Sequence, residues 1–282
     1  MKLYKYQGAG NDFVVAAVSG RDTEIPSGWI VRVCDRRLGI GADGLIAISE
    51  SDTCAFSMRY WNSDGSSGMM CGNGGRCAVD FAKRMGILPN PGEGDPEGTY
   101  VFEAPDGIHK GRILKEPDAY RAVVELQMND VDKVERLEPD EDGDGFPLSW
   151  KMNTGAEHLV IFREDISNLD VEAEGSRWRY DRRFAPKGTN VDFVKVEDRN
   201  HIIVRTYEKG VEAETLSCGT GVIASAIAAY LRGDCDDDCT IRTTMNTFRV
   251  TFRQDGNAFR DIALTGDTEL VFTAEYPSDR IF

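Results

Sequence analysis

Basic residues are scarce beside acidic ones. The 33 Lys and Arg stand against 48 Asp and Glu, a formal net charge of −15 over 282 residues. Phosphate recognition wants a basic face, so nucleic acid is not expected as a partner. An anionic membrane surface is disfavoured for the same reason. No run approaches the about 18 apolar residues of a membrane-spanning helix, and the start MKLYKYQGAG lacks an apolar signal core. Seven cysteines, an odd number, are too few for a disulfide scaffold at this length. Three histidines make no readable zinc site, and no metal is expected. The expectation is a cytoplasmic chain with reduced thiols. There a cysteine is core, metal ligand or catalyst rather than cross-link.

What the sequence does contain is a repeat. Cys71-Gly72-Asn73-Gly74 and Cys218-Gly219-Thr220-Gly221 share the pattern C-G-x-G, 147 residues apart between positions 71 and 218. The same offset carries Gly8-Ala9 onto Gly155-Ala156, Gly41-Ala42-Asp43 onto Gly188-Thr189-Asn190, Tyr60 onto Tyr207 and Gly86 onto Gly233. One offset aligning separate motifs without a gap implies a duplicated architecture. The length suits two domains, and the 41% hydrophobic content is that of a globular chain. We place the boundaries at residues 1–120 and 121–268, with 269–282 as a candidate return strand to the first domain.

Apolar patterning predicts strands over 2–6, 13–17, 45–48, 55–61, 100–104, 111–114 and 122–128 in the first half. In the second it predicts strands over 150–153, 159–162, 191–196, 202–207, 248–252 and 269–276. Helices are predicted over 27–37, 71–86, 174–183 and 218–232, with Ser27 as an N-cap and Gly86 and Gly233 as terminators. Many strands with few helices argue for an α+β fold in which sheets wrap around a central helix.

Each C-G-x-G sits where a loop enters a helix. The free N–H groups of a first turn bind anions, and the positive helix end lowers a thiol's pKa. Glycines let a ligand approach the backbone. Two such ends could hold one carboxylate through the amides of Gly72, Asn73, Gly219 and Thr220. The adjacent carbon would then lie between two sulfurs. A thiolate would take a proton from one face and a thiol would return one to the other, inverting a stereocentre with no pyridoxal cofactor. The pair would titrate as a coupled unit.

The segments GAGNDFV (8–14), DRRLGIGADGLI (35–46), RYWNSDGSSGMMCGNGGRC (59–77), NTGAEHLVIF (153–162), GTNVDFV (188–194) and RTYEKGVEAETLSCGTG (205–221) make the chain resemble the diaminopimelate epimerase family. The resemblance implies two pseudosymmetric domains, each a mostly antiparallel sheet around a central helix, with the active site in the interdomain cleft. It implies conversion of LL-2,6-diaminoheptanedioate, a diamino dicarboxylic acid, to the meso form in lysine and cell-wall precursor synthesis. It implies no cofactor and a homodimer. Cys71 and Cys218 match the acid/base pair, and Gly72, Asn73, Gly219 and Thr220 the carboxylate-binding residues. Asn11, Asn62 and Asn190 match side chains that grip polar groups of the substrate, Glu208 an acid beside the ammonium, and His158 a supporting histidine. Lys209 stands where many members have Arg, and Ala156 where many have Asn. Both positions belong to the end that holds the distal amino-acid group. Lys cannot reproduce the paired hydrogen bonds of Arg, so a racemase of another amino acid is the alternative reading.

A thiol redox protein using Cys71 and Cys77, or a non-catalytic binding protein, would be readings of a different class. The six-residue spacing of that pair is too long for an easy disulfide on one helix. Asp140, Asp142 and Asp144 imitate the start of a calcium loop, but Lys151 occupies the twelfth position, and the segment reads as an acidic turn. Cys235 and Cys239 flank Asp236-Asp237-Asp238 and read as an acidic post-helix loop. Cys34 and Cys54 read as small core residues.

Overall fold

The computed structural model describes residues 1–68, 70–139 and 145–277. The aspartates of the calcium-like segment fall outside them. The chain divides into two compact units, Met1–Gln127 with Thr265–Phe282, and Met128–Leu264. No helix among the described residues is long and apolar enough to cross a membrane.

The first unit opens with β1 (Lys2–Gly8), β2 (Asn11–Ala17), α1 (Ser27–Cys34), β3 (Gly44–Ser49) and β4 (Phe56–Asn62). It continues with α2 (Gly72–Arg84), β5 (Tyr100–Ala104), β6 (Gly107–Lys115) and β7 (Arg121–Gln127). The strands pair in chain order. The ring is closed by the distal part of a long last strand, which pairs with both β7 and β1. Pairs β2–β3 and β4–β5 are parallel, and the other pairs are antiparallel. A ring has no free edge, and α2 fills its middle, packing on β1, β2, β3, β6 and β7.

That position explains the composition of α2. A helix enclosed by strands must bury every face, and residues Asn73 to Ala82 are all buried. Two of them, Arg76 and Asp80, are charged. Asp80 accepts from Arg84 at 2.8 Å and from Thr268 at 3.1 Å, so the buried charge is hydrogen-bonded. β3 is covered by α2 on one face and by α1 on the other, and its sequence GLIAIS is buried throughout.

The second unit repeats the plan. It contains β8 (Val134–Leu137), β9 (Ser149–Asn153), β10 (Glu157–Phe162), α3 (Val171–Arg179), β11 (Asn190–Asp198) and β12 (His201–Glu208). Then come β13 (Ala213–Thr215), α4 (Gly219–Arg232), β14 (Asp238–Arg242), β15 (Thr247–Asp255) and β16 (Ala258–Glu275), whose distal part serves the first unit. Pairs β10–β11 and β12–β14 are parallel, matching β2–β3 and β4–β5. α4 occupies the place of α2, packing on β9, β10, β11, β12, β14 and β15. Its alanines favour helix and let strands approach closely. Gly233, left-handed at φ 87°, ends it, as Gly86 at φ 76° follows α2.

Five expectations change. β7 pairs with β6 and β16, so the boundary falls after Gln127 rather than after residue 120, and the return to the first unit begins at Thr265 rather than 269. α1 stops at Cys34, because the Asp35 side chain accepts from the N–H groups of Arg37 and Leu38, both at 2.7 Å, and folds 35–38 into a turn. Its N-cap is Pro26, and Ser27 is the first helical residue. α3 begins earlier than expected because Asp170 caps it, accepting from Ala173 N at 3.0 Å.

Candidate active site

Cys71 is the N-cap of α2, with extended backbone at φ −104°, ψ 150°. Its half-buried sulfur accepts the Gly74 N–H at 3.2 Å, so the thiol occupies the place of a capping oxygen. A Cβ on Gly74 would lie 3.3 Å from that sulfur, a tight contact that glycine avoids. The thiol can also donate to Asn11 Oδ1 at 4.0 Å. Asn11, at the start of β2, is oriented through its own amide, which donates to Asp43 Oδ2 at 2.7 Å. Asp43 is held in turn by Arg36 at 2.7 Å. Arg36 also grips Asp12 with two bonds, at 2.9 and 2.8 Å. Burial would raise the Asp12 carboxyl, but the hydrogen bonds from Arg36 and Lys5 hold it well below the usual carboxylate range. Asn73 is buried, its Oδ1 accepting from Arg76 at 2.8 Å, and Arg76 donates a second bond to the Gly72 carbonyl at 3.2 Å.

Asn62 is placed differently. It ends β4 in an exposed turn, and its amide donates to Ser66 Oγ at 3.0 Å. Cys77 is fully buried and its thiol is pushed up by that burial, which removes the reactivity a redox role would need.

Cys218 is the N-cap of α4, at φ −123°, ψ 110°. Its half-buried sulfur lies 3.3 Å from Thr220 Oγ1, and Thr220 Oγ1 lies 2.9 Å from His158 Nε2. His158, fully buried on β10, meets buried Asp192 of β11 through Nδ1 at 2.7 Å. Thr206 of β12 donates to the other Asp192 oxygen at 2.7 Å. Burial alone would lower the His158 pKa. The Asp192 carboxylate and Cys218 outweigh it and raise it from 6.5 to about 10, so the ring is an imidazolium at neutral pH. Nδ1–H then donates to Asp192 and Nε2–H to Thr220. The threonine hydroxyl hydrogen is left free to point at the Cys218 sulfur.

Asn190 is buried at the start of β11. Its amide donates to the Glu157 carbonyl at 2.9 Å, and its Oδ1 accepts the Lys209 N–H at 2.8 Å. Glu208 ends β12, where burial raises its pKa against a Thr215 hydrogen bond that lowers it. Gly221 is required by packing: a Cβ there would lie 2.3 Å from Asp192 Oδ1. The second C-G-x-G is therefore tied to the His158–Asp192 pair as well as to the helix entry.

Asp192, Thr206, Asp43 and Arg36 were not singled out in the sequence. Asp192 carried a signal, since a carboxylate amid Val191, Phe193 and Val194 on a buried strand demands a partner. Asp43 carried a weaker one, being the residue that the repeat offset pairs with Asn190. Among the described residues, no cluster of three or more His, Cys, Asp or Glu is grouped to hold a metal.

The family model described as diaminopimelate epimerase matches residues 3–116 and 150–271, the segments that carry Cys71 and Cys218. A diaminopimelate epimerase of Flavobacterium psychrophilum is 41% identical over 276 residues, 96% of this chain and 98% of that one. One of Methanocella arvoryzae is 34% identical, over 99% of this chain and 98% of that one. Among solved structures, a Bacillus anthracis phenazine biosynthesis protein of the PhzF family superposes with a TM-score of 0.70 at 14% identity, covering 98% of this chain and 99% of that one. A probable proline racemase from Agrobacterium radiobacter gives 0.65 at 14% identity, over 99% of this chain and 93% of that one. The structural likenesses define the fold. With two halves on one plan and a cysteine at the N-cap position of the central helix of each, the sequence matches establish that the chain belongs to the diaminopimelate epimerase family.

Proposed function

We propose that this chain is an isomerase that epimerises LL-2,6-diaminoheptanedioate to the meso form through a thiolate and a thiol, Cys71 and Cys218. The carrying observation is the repeated setting of the two sulfurs. Each is half-buried and each stands at the N-cap position of a helix whose first-turn N–H groups favour negative charge. Such a sulfur can abstract an α-proton when ionised and return one when protonated. The substrate carboxylate would take hydrogen bonds from the amides of Gly72, Asn73, Gly219 and Thr220. Those bonds strengthen as carbanion charge spreads onto the carboxylate, so the reaction calls for no pyridoxal. Asn11 and Asn190 would hold polar groups, and Glu208 an ammonium. Asn62 would join them only after leaving Ser66. His158 would support Cys218 electrostatically.

The two sulfurs have different neighbours. Cys218 lies one hydroxyl away from His158, and Cys71 accepts a backbone N–H, can donate to an amide oxygen and feels the charge of Arg76. We further place the enzyme in the cytoplasm as a homodimer, acting in lysine and cell-wall precursor synthesis.

The alternative, a racemase of another amino acid, rests on Lys209 and Ala156 at the distal end. Deuterium wash-in separates the readings. In heavy water, LL-diaminopimelate should acquire α-deuterium with inversion, and Cys71→Ala and Cys218→Ala should each abolish epimerisation. Exchange on a different amino acid and none on diaminopimelate would overturn the substrate. Epimerisation surviving in both variants would overturn the two-cysteine mechanism.

A further inference from the structure

Two thiols outside the candidate site lie against each other. Cys235 follows α4 by three residues and Cys239 is the second residue of β14. Both are buried, and their sulfurs are 2.7 Å apart. Non-bonded carbons, which are smaller, rest at about 3.5–4.0 Å. The acidic loop between them is braced so that the two stay together. Asp236 N–H donates to Asn200 Oδ1 at 2.6 Å, and the Asn200 amide returns a bond to Asp236 Oδ2 at 2.9 Å. Arg249 clamps Asp238 with two bonds, at 2.7 and 2.6 Å.

We propose that Cys235 and Cys239 form a peroxide-oxidisable dithiol that closes to a reversible disulfide tying the end of α4 to β14. The two sulfurs divide the work. The hydrogen bond between the two sulfurs lowers the Cys235 thiol and raises the Cys239 thiol. Cys34, by contrast, is pushed up to about 11, mainly by burial. Cys235 is thus the nucleophile.

Its thiolate attacks one oxygen of a hydroperoxide. The O–O bond breaks, the sulfur becomes a sulfenic acid, and the second oxygen leaves as hydroxide that takes a proton to become water. The Cys239 sulfur then attacks the Cys235 sulfur. The S–O bond breaks, and the departing hydroxide takes the Cys239 proton. Two thiols lose two electrons, one hydrogen peroxide is reduced, and two waters leave. A dithiol reductant reverses the bond by exchange. Hydrogen peroxide is small enough to reach a buried pair. In a reducing compartment the closed state would be transient.

The sequence makes the test simple. Arg232 and Arg242 bracket a tryptic peptide, residues 233–242, that holds both of these cysteines and none of the other five. The whole native chain is treated with hydrogen peroxide, quenched, unfolded, alkylated and digested. The expected peptide is unalkylated and two hydrogens lighter, and dithiothreitol before alkylation restores two labels. Two alkylated thiols at a peroxide dose that oxidises Cys71 or Cys218 would overturn the proposal. So would a sulfonate on Cys235, or a bond to a different peptide. In Cys239→Ser, Cys235 should stop at the sulfenic acid and be trapped by dimedone, with no such adduct in the unaltered chain. If that variant does not fold, the peptide measurement on the unaltered chain decides alone.

Discussion

At the scale of single residues, the charge state of His158 has a consequence for pH. Its folded pKa, about 10, lies above the ordinary 6.5, so the folded chain keeps a proton that the unfolded chain releases. The stabilisation is therefore complete below pH 6.5 and is lost as pH rises toward 10. Thermal melts across that range should show the melting temperature falling, and Asp192→Asn should flatten the slope. Asp192→Asn also leaves a buried cation without its anion, a change that costs about 3–5 kcal/mol in buried pairs. A slope identical in the variant would show that the pair does not carry the effect. Gly221→Ala tests the same contact by sterics. Its Cβ meets Asp192 Oδ1 at 2.3 Å, and both residues are buried with little room to yield. We expect a loss of about 1–3 kcal/mol in denaturant titrations and a fall in kcat. Gly233→Ala has open space around it and suffers only from its left-handed φ, about 1 kcal/mol, with kcat unchanged.

At the scale of elements, α2 and α4 were the most legible in the sequence. Each begins at a C-G-x-G and has a glycine just past its end, so local chemistry defines them at both ends. Their enclosure was legible in the apolar content of α4 and less so in α2, where Arg76 and Asp80 break the pattern. The limits of α1 were not legible, because the side chain of Asp35 turns the chain where apolar spacing would continue. β8, β13, β14 and the first part of β16 were missed: β13 is a three-residue edge with no periodicity to read, β8, VERL, has no buried residue, and β14 starts inside the acidic run 236–238, so Cys239 lies on a strand rather than in the loop expected there. In the site, the cysteines and glycines announced themselves by repetition. The His158–Asp192 pair did not, because its members are 34 positions apart and meet only through the parallel pairing of β10 and β11. Enclosure of α4 predicts intolerance to size. Ala226, fully buried, should lose about 1–3 kcal/mol on Ala226→Leu in chemical unfolding, whereas exposed Leu231→Ala should change stability by less than about 0.5 kcal/mol.

At the scale of the whole molecule, β16 is the strand on which the first unit depends. It is the neighbour of both β7 and β1, so its distal part converts an open sheet into a ring. It also supplies Thr268, whose hydroxyl reaches buried Asp80 in α2. A chain ending at Leu264 would leave β1 and β7 with unpaired backbone and Asp80 short of a donor. Such edges recruit other strands. The truncated protein should aggregate on size-exclusion chromatography, and hydrogen exchange should show α2 unprotected. A soluble, protected truncation would overturn the role given to β16. The charge of −15 remains a property of the surface and of solubility, and says nothing about the ring.

The pairing of β1 with β16 brings the Met1 ammonium to the Tyr276 carbonyl at 2.8 Å. The Tyr276 N–H returns a bond to the Met1 carbonyl at 2.8 Å, so Met1 and the end of the last described strand are direct neighbours, and the order in which the strands are translated is not required for the ring they form. Joining position 277 to Met1 by a short linker, and opening the gene within the exposed segment around Gly92–Gly94 between α2 and β5, should give a circular permutant with the same sheet order and an unaltered far-ultraviolet dichroism spectrum.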